Sequence, residues 1–293
     1  MNNDKCAITV AIPTFKRKEK LLISLKKILQ CNPQPDEIIV HIDNNDSSTE
    51  QLIKQKYPDI KIIKSQTRIG PGGGRNRIIN EAINSIVASF DDDSYPIDTD
   101  YFNRLLTLFK KLPNAAIIGA EIYHIDESIK ADLYAAEKTS NFIGCGCAYR
   151  RDVFQQTTGY VNLPLAYGME EVDLALRLVD LNCEIIHSSW LRVFHNTRLE
   201  HHNNPKITAA SIANQMLLTY LRYPILFWGF GFLQCFNRVF WLIKHGRSKG
   251  IVRGAFLIPL LILKHFSDRK TVSSDSLNKY LKYRNCSTPI ELS

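Results

Sequence analysis

Short apolar runs and helical stripes alternate along the first 120 residues. Ala7–Ile12 is small and β-branched and stops at Pro13-Thr14, which predicts a strand. Leu21, Leu22, Leu25, Ile28 and Leu29 recur at helical spacing, so 18–30 reads as an amphipathic helix. Glu37–Ile42, Ile60–Lys64, Ile86–Phe90 and Ala115–Ile122 predict further strands. Between them, Thr49–Tyr57, Arg75–Asn84 and the stripe Tyr101, Leu105, Leu108, Phe109 and Leu112 predict helices, and Gly70–Gly74 reads as a glycine loop. Strand and helix alternating at this spacing imply an α/β fold with a mostly parallel sheet flanked by helices. After residue 123 the pattern loosens. Phe142–Tyr149 predicts a strand, Glu170–Leu181 a helix and Glu184–His187 a short strand.

The pattern changes again over 207–266, where long apolar stretches are broken by single bases. Ile225–Ile243 is rich in Phe and Trp but contains Gln234, Asn237 and Arg238, too polar for a clear membrane span. Ala255–Leu263 is apolar but short of the ~20 residues that a spanning helix needs. Aromatics interleaved with Arg and Lys suit helices lying in a membrane interface. Charge follows the same division. Residues 1–200 hold 24 Lys+Arg against 26 Asp+Glu, and residues 201–293 hold 13 against 3. The net charge of +8 therefore comes from the last third. Bases mixed with Phe, Trp and Leu favour a membrane surface over nucleic acid. The division predicts a catalytic domain over 1–205 and a basic, aromatic helical region over 206–293. Seven scattered cysteines, with no zinc spacing, read as reduced thiols of a cytosolic protein. The polar N-terminus reads as lacking a signal peptide.

The chemistry gathers at predicted strand ends, where open α/β sheets bind ligands. Asp91-Asp92-Asp93 follows the strand Ile86–Phe90. An isolated Asp triplet is usually a solvated turn. At a strand end, adjacent carboxylates ionise together cheaply only beside a cation, and Mg²⁺ or Mn²⁺ held with phosphate oxygens fits. Asp43 ends the second strand, where it can accept from a base N–H or a ribose hydroxyl. Gly70-Pro71-Gly72-Gly73-Gly74-Arg75 allows close backbone approach, with Arg75 opening a helix beside its positive end. Glu170-Glu171 opens a later helix, where acids also cap. Beside a metal–diphosphate site, one of them becomes a general base. His195 ends another apolar segment and is a further metal ligand if it faces the site.

Taken in order, Ala11 to Arg17, Ile42-Asp43, Gly70 to Asn76, Phe90 to Asp93 and Glu170 to Leu178 resemble glycosyltransferase family 2. The resemblance covers roughly residues 7–200. It implies the GT-A fold, a Rossmann-like sheet, and an inverting, metal-dependent sugar transfer. It implies that Pro13, Thr14 and Asp43 hold base and ribose, with Gly70, Arg75, Asp91 and Asp92 along the nucleotide sugar. Asp93 is the implied direct metal ligand, with Asp91 and His195. Glu171 matches the second acid of the family's Glu-Asp pair, the catalytic base, with Glu170 as the alternative. The implied donor is a UDP-hexose, with dTDP-rhamnose or a GDP-sugar as alternatives. The implied acceptor is a saccharide, free or on a polyprenyl diphosphate, for surface polysaccharide made at the inner face of the cell membrane. Processive relatives carry Gln-x-x-Arg-Trp; here Gln234, Arg238 and Trp241 are spaced differently, which implies one sugar per encounter. A sugar-phosphate nucleotidyltransferase needs a Gly-rich basic loop after strand one, where this chain has Pro-Thr-Phe-Lys-Arg. A non-catalytic basic membrane binder leaves the Asp cluster unexplained. Acceptor specificity is expected in the loops 123–140 and 160–169.

Overall fold

A computed structural model of the chain describes residues 5–163, 165, 167–198 and 204–292. The boundary segment 199–203, and Pro164 and Ala166 of the second specificity loop, lie outside the described residues.

The first half alternates as its apolar pattern requires. The elements are β1 (Lys5–Thr14), α1 (Lys18–Ile28), β2 (Gln34–Ile42), α2 (Ser47–Lys56), β3 (Lys61–Lys64), α3 (Gly70–Glu81) and β4 (Ile86–Phe90). Then come β5 (Ser94–Pro96), α4 (Tyr101–Lys111), β6 (Ala115–His124), β7 (Ala136–Thr139), β8 (Gly146–Arg150) and α5 (Arg151–Gln155). α6 (Glu170–Asp180) and β9 (Glu184–His195) complete the core. The last third holds α7 (Pro205–Arg222), α8 (Trp228–Lys244), α9 (Ile251–Lys264), α10 (Ser274–Asn285) and β10 (Thr288–Ile290).

One sheet runs in the order β10-β7-β9-β6-β8-β4-β1-β2-β3, with β5 paired to β9. It is parallel from β3 to β4, and β6 is parallel to β9. It turns antiparallel where β8 enters between β4 and β6 and where β5, β7 and β10 attach. The sheet is thus parallel through the half that holds β1 to β4 and mixed beyond it. Parallel pairing needs a crossover connection, usually a helix, and that alternation fades after residue 123.

Helices cover both faces. Leu21, Leu25, Tyr101 and Leu105 of α1 and α4 pack on one face against Ile8, Val10 and Val40. Ile78, Leu174, Leu217 and Leu277 of α3, α6, α7 and α10 pack on the other with Val87 and Ile117. The C-terminal helices therefore share a core with the sheet. At the centre of that junction, the fully buried Asp173 of α6 bonds Arg177 of its own helix and Arg222 of α7.

β5, β7, α5 and β10 had no sequence reading, and the strand expected over Phe142–Tyr149 is β8, Gly146–Arg150. Two further elements differ in ways that bear on the site. The glycine run is the first turns of α3 and not a loop. β9 runs twelve residues, through the polar break at Ser188-Ser189, because its pairing with β6 shifts there. That extension carries His195 up to the Asp triplet, as Ser94 and His195 pair across β5 and β9.

Candidate active site

β1 sits between β4 and β2, both parallel to it, so the carboxyl ends of all three open on one edge. Strand order reverses at that point, and such a crevice is where doubly wound sheets bind ligands. A cavity of about 260 Å³ lies there. Its walls include Pro13, Thr14, Asp43, Gly70, Asp91 and Asp92. Phe15, Arg17 and Arg68 also line it, residues to which the sequence assigned no role. The Arg68 guanidinium lies 4.7 Å from the Phe15 ring centre and closes one wall.

Asp43 is buried and accepts from Ser65 Oγ at 2.7 Å and from the backbone N–H of Ile69 and Gly70, each at 3.0 Å. Its carboxylate anchors the turn into α3 at the cavity edge. Gly70 has φ +77°, a left-handed conformation open chiefly to glycine.

The three aspartates diverge. Asp92 accepts from Thr14 Oγ1 and from Arg17 Nη1, both at 2.9 Å. Burial nevertheless pushes its pKa up to about 6, with Asp91 and Asp93 adding to the rise and Arg17 opposing it. Asp93 accepts from Arg17 Nη2 at 2.6 Å and Lys20 Nζ at 2.9 Å, and its Oδ1 lies 3.1 Å from His195 Nε2. Burial works against its charge, but the bonds from His195 and Lys20 and the charge of Arg17 hold it well below the ordinary carboxylate range. Much of the triplet's repulsion is thus relieved by two cations of the α1 end, which the sequence reading did not identify. Arg17 and Lys20 are three apart at a helix start, and that spacing was their only signal.

Asp91 turns the other way. It takes a charge-assisted bond from Arg75, whose Nε donates to Ser89 Oγ at 2.8 Å. Arg75 is buried, and its Nη1 lies 3.9 Å from Glu170 Oε1. Gly72 makes room for that carboxylate, since a Cβ there would lie 2.5 Å from Glu170 Oε2 and 2.9 Å from Tyr160 Cβ. Glu170 Oε2 is buried without a hydrogen-bond partner. Burial, then the charge of Glu171, pushes the Glu170 pKa up. Glu171 is half-buried and accepts from the Gly144 N–H at 3.4 Å. Its pKa is also raised by burial, with Arg75 working the other way.

Oxygen, nitrogen and sulfur atoms of Asp91, His195 and Cys145 converge within 4.8 Å of one another, a set that fits a divalent cation. Asp91 and His195 are two of the three ligands expected. Asp93 lies on the other side of the His195 ring, with its Oδ1 3.1 Å from Nε2. The third member of that cluster is Cys145, read in the sequence only as a reduced thiol, and its signal was no more than a Gly-Cys-Gly-Cys run leading into β8. All seven cysteines are free.

This crevice and sheet define a GT-A-type fold. Comparison with known proteins points the same way: the model of glycosyl transferase family 2 matches residues 9–132, the segment that runs from β1 through β6 and holds the Asp triplet. An uncharacterized glycosyltransferase of Methanocaldococcus jannaschii is 29% identical over 43% of this chain and 44% of its own length. A GalNAc(5)-diNAcBac-PP-undecaprenol beta-1,3-glucosyltransferase of Campylobacter jejuni is 31% identical over 29% of each. The chain thus spans less than half the length of these curated relatives. Two solved structures share the fold. The mannosyltransferase of Pyrobaculum calidifontis with GDP-Man and Mn²⁺ has a TM-score of 0.58 at 12% identity, covering 94% of this chain and 83% of that one. S. aureus TarS 1-349 with UDP has a TM-score of 0.54 at 15% identity, covering 96% and 90%.

Proposed function

We propose that the chain is an inverting glycosyltransferase that moves a hexose from a UDP donor to a hydroxyl of a glycan or of a polyprenyl-diphosphate-linked saccharide. One observation carries this reading. The half-buried acid Glu171 is joined to the donor crevice by a chain of hydrogen bonds: the Gly144 N–H donates to Glu171, Ser89 Oγ donates to the Gly144 carbonyl, Arg75 Nε donates to Ser89 Oγ, and Arg75 bonds Asp91.

Pro13, Thr14 and the Asp43-anchored turn bound the space for base and ribose. Arg75 positions Asp91 and faces the diphosphate end. Asp91 and His195 would hold the metal, which supplies positive charge for the departing diphosphate. Glu171 takes the proton of the acceptor hydroxyl. The hydroxyl oxygen bonds to the anomeric carbon from the opposite face. The bond from that carbon to the phosphate oxygen breaks, and its electron pair leaves with UDP. One displacement inverts the centre. Glu170, deeper and against Gly72, supports the wall and is the less accessible of the two acids.

The acceptor class draws on the polyprenol-linked substrate in the name of the C. jejuni relative and on the basic, aromatic last third. We place the chain at the cytoplasmic face of the cell membrane, with 1–205 as catalytic part and 206–293 as membrane-facing part. The test is Glu171→Gln. Loss of transfer with UDP binding retained supports the assignment; near-wild-type turnover refutes it.

A further inference from the structure

We propose that Cys145 is a thiolate ligand of the metal at this site, and that the centre therefore prefers ions softer than Mg²⁺. The proposal rests on the metal-dependent reading above, but it concerns which atoms bind and is tested without turnover.

The geometry carries it. Cys145 Sγ lies 3.6 Å from His195 Nδ1. Two ligands at ~2.3 Å (sulfur) and ~2.0–2.1 Å (nitrogen) on one tetrahedral ion stand ~3.6 Å apart, against ~3.1 Å for a right-angled octahedral pair. The observed spacing matches the tetrahedral value and also that of a direct S–H···N contact, and a Co²⁺ titration separates the two. Asp91 supplies an oxygen within 4.8 Å of both.

The supporting atoms agree. His195 turns its other nitrogen, Nε2, to Asp93 Oδ1 at 3.1 Å. A carboxylate behind a histidine fixes the tautomer with the proton on Nε2, and so leaves the Nδ1 lone pair facing Cys145. Lys20 and Arg17 lock that carboxylate. Cys145 is itself fixed, since its carbonyl accepts from Ser94 Oγ at 2.6 Å and the preceding Gly144 carbonyl accepts from Ser89 Oγ at 2.7 Å. A sulfur–nitrogen–oxygen set favours Zn²⁺, Co²⁺ and Cd²⁺ over Mg²⁺, which demands oxygen ligands in an octahedron. The competing account is a plain S–H···N hydrogen bond from Cys145 to His195, with the metal held by carboxylates alone.

The experiment is a Co²⁺ titration of the full chain, with and without UDP. It is done in a background where the two cysteines that are not buried, Cys183 and Cys286, are serine. We expect a near-ultraviolet sulfur-to-cobalt charge-transfer band that saturates at one equivalent. Cys145→Ser should abolish it, and Cys147→Ser, one strand residue beyond Gly146, should keep it. Cys145→Ser should also weaken Cd²⁺ binding ~10-fold or more relative to Mn²⁺, as even partners behind metal ligands are worth 10–100-fold. If Co²⁺ binds without the band, or the Cd²⁺/Mn²⁺ ratio is unchanged in Cys145→Ser, the thiolate assignment is overturned while the transferase reading stands. If no metal binds even with UDP, both fail.

Discussion

Glu170 and Glu171 are adjacent, alike in sequence and unlike in place. Both have raised pKa values, chiefly from burial. For an acid, a raised pKa keeps the proton on to higher pH, so the base form of Glu171 develops above the ordinary carboxylate range. Transfer rate should therefore rise with pH through that shifted ionisation. In Glu171→Gln the limb should vanish and kcat should fall ~10²–10⁴-fold, the usual worth of a general base. A pH–rate profile of both proteins checks this. Glu170 has a stability consequence of definite sign. A carboxyl whose folded pKa is raised contributes stability below its unfolded pKa and loses it as pH rises. Glu170→Gln cannot ionise, so its melting temperature should gain on wild type with increasing pH and show no such gain in acid. Thermal unfolding across pH measures it. None of this was legible in the sequence, which shows two acids at a helix start. Nor did it show that the pKa values of Asp92 and Asp93 are shifted in opposite directions, since that depends on burial of the one and on His195, Lys20 and Arg17 reaching the other from different elements.

At the scale of elements, the first four strands and their helices followed from apolar spacing, because each buries its own local stripe. α3 and β9 did not, because each obeys a distant neighbour. Glycine is the poorest helix former after proline, so local propensity reads Gly70–Gly74 as a loop. Packing overrides that reading, as the glycines let α3 approach the α6 acids. Gly72→Ala tests which effect wins. Helix propensity favours alanine by ~1 kcal/mol. The added Cβ would meet Tyr160 Cβ at 2.9 Å, an atom with no freedom to swing away, besides Glu170 Oε2. Overpacking typically costs ~1–3 kcal/mol. The variant should be less stable in denaturant titration, with lower kcat from a displaced Glu170. Equal or greater stability would show that α3 has slack.

The whole molecule joins a soluble-type core to an outward apolar face. By length and composition, Ile225–Lys244 is long and apolar enough to cross a membrane, and only 17% of its apolar window is buried. Its remaining contacts argue that it lies on the surface. Gly231, Cys235 and Leu242 are buried, Gly231 against Thr219 of α7, and Gln234 bonds Gln215 and Tyr223. One face is thus committed to protein through polar groups. The opposite face presents Phe232, Phe236, Phe240 and Ile243, and α9 repeats the interval with Val252, Phe256, Leu260 and Leu263, all exposed. Two such apolar stripes flanked by exposed Lys244, Lys249, Arg253 and Lys264 suit an anionic interface. Each base near such a surface adds ~1 kcal/mol. Aromatic–basic interleaving made this legible in the sequence; the docking of α7 on the sheet core was not. The full chain should float with anionic liposomes, bind neutral ones weakly and detach at high salt or alkaline carbonate. Phe236→Ser with Phe256→Ser should cut vesicle binding ~10-fold or more, since each buried aromatic is worth ~1.5–3 kcal/mol. The double variant should keep UDP binding, because neither residue lines the donor crevice. Binding that survives both carbonate and the double substitution would mean that α8 inserts, and that its contacts with α7 open to let it do so.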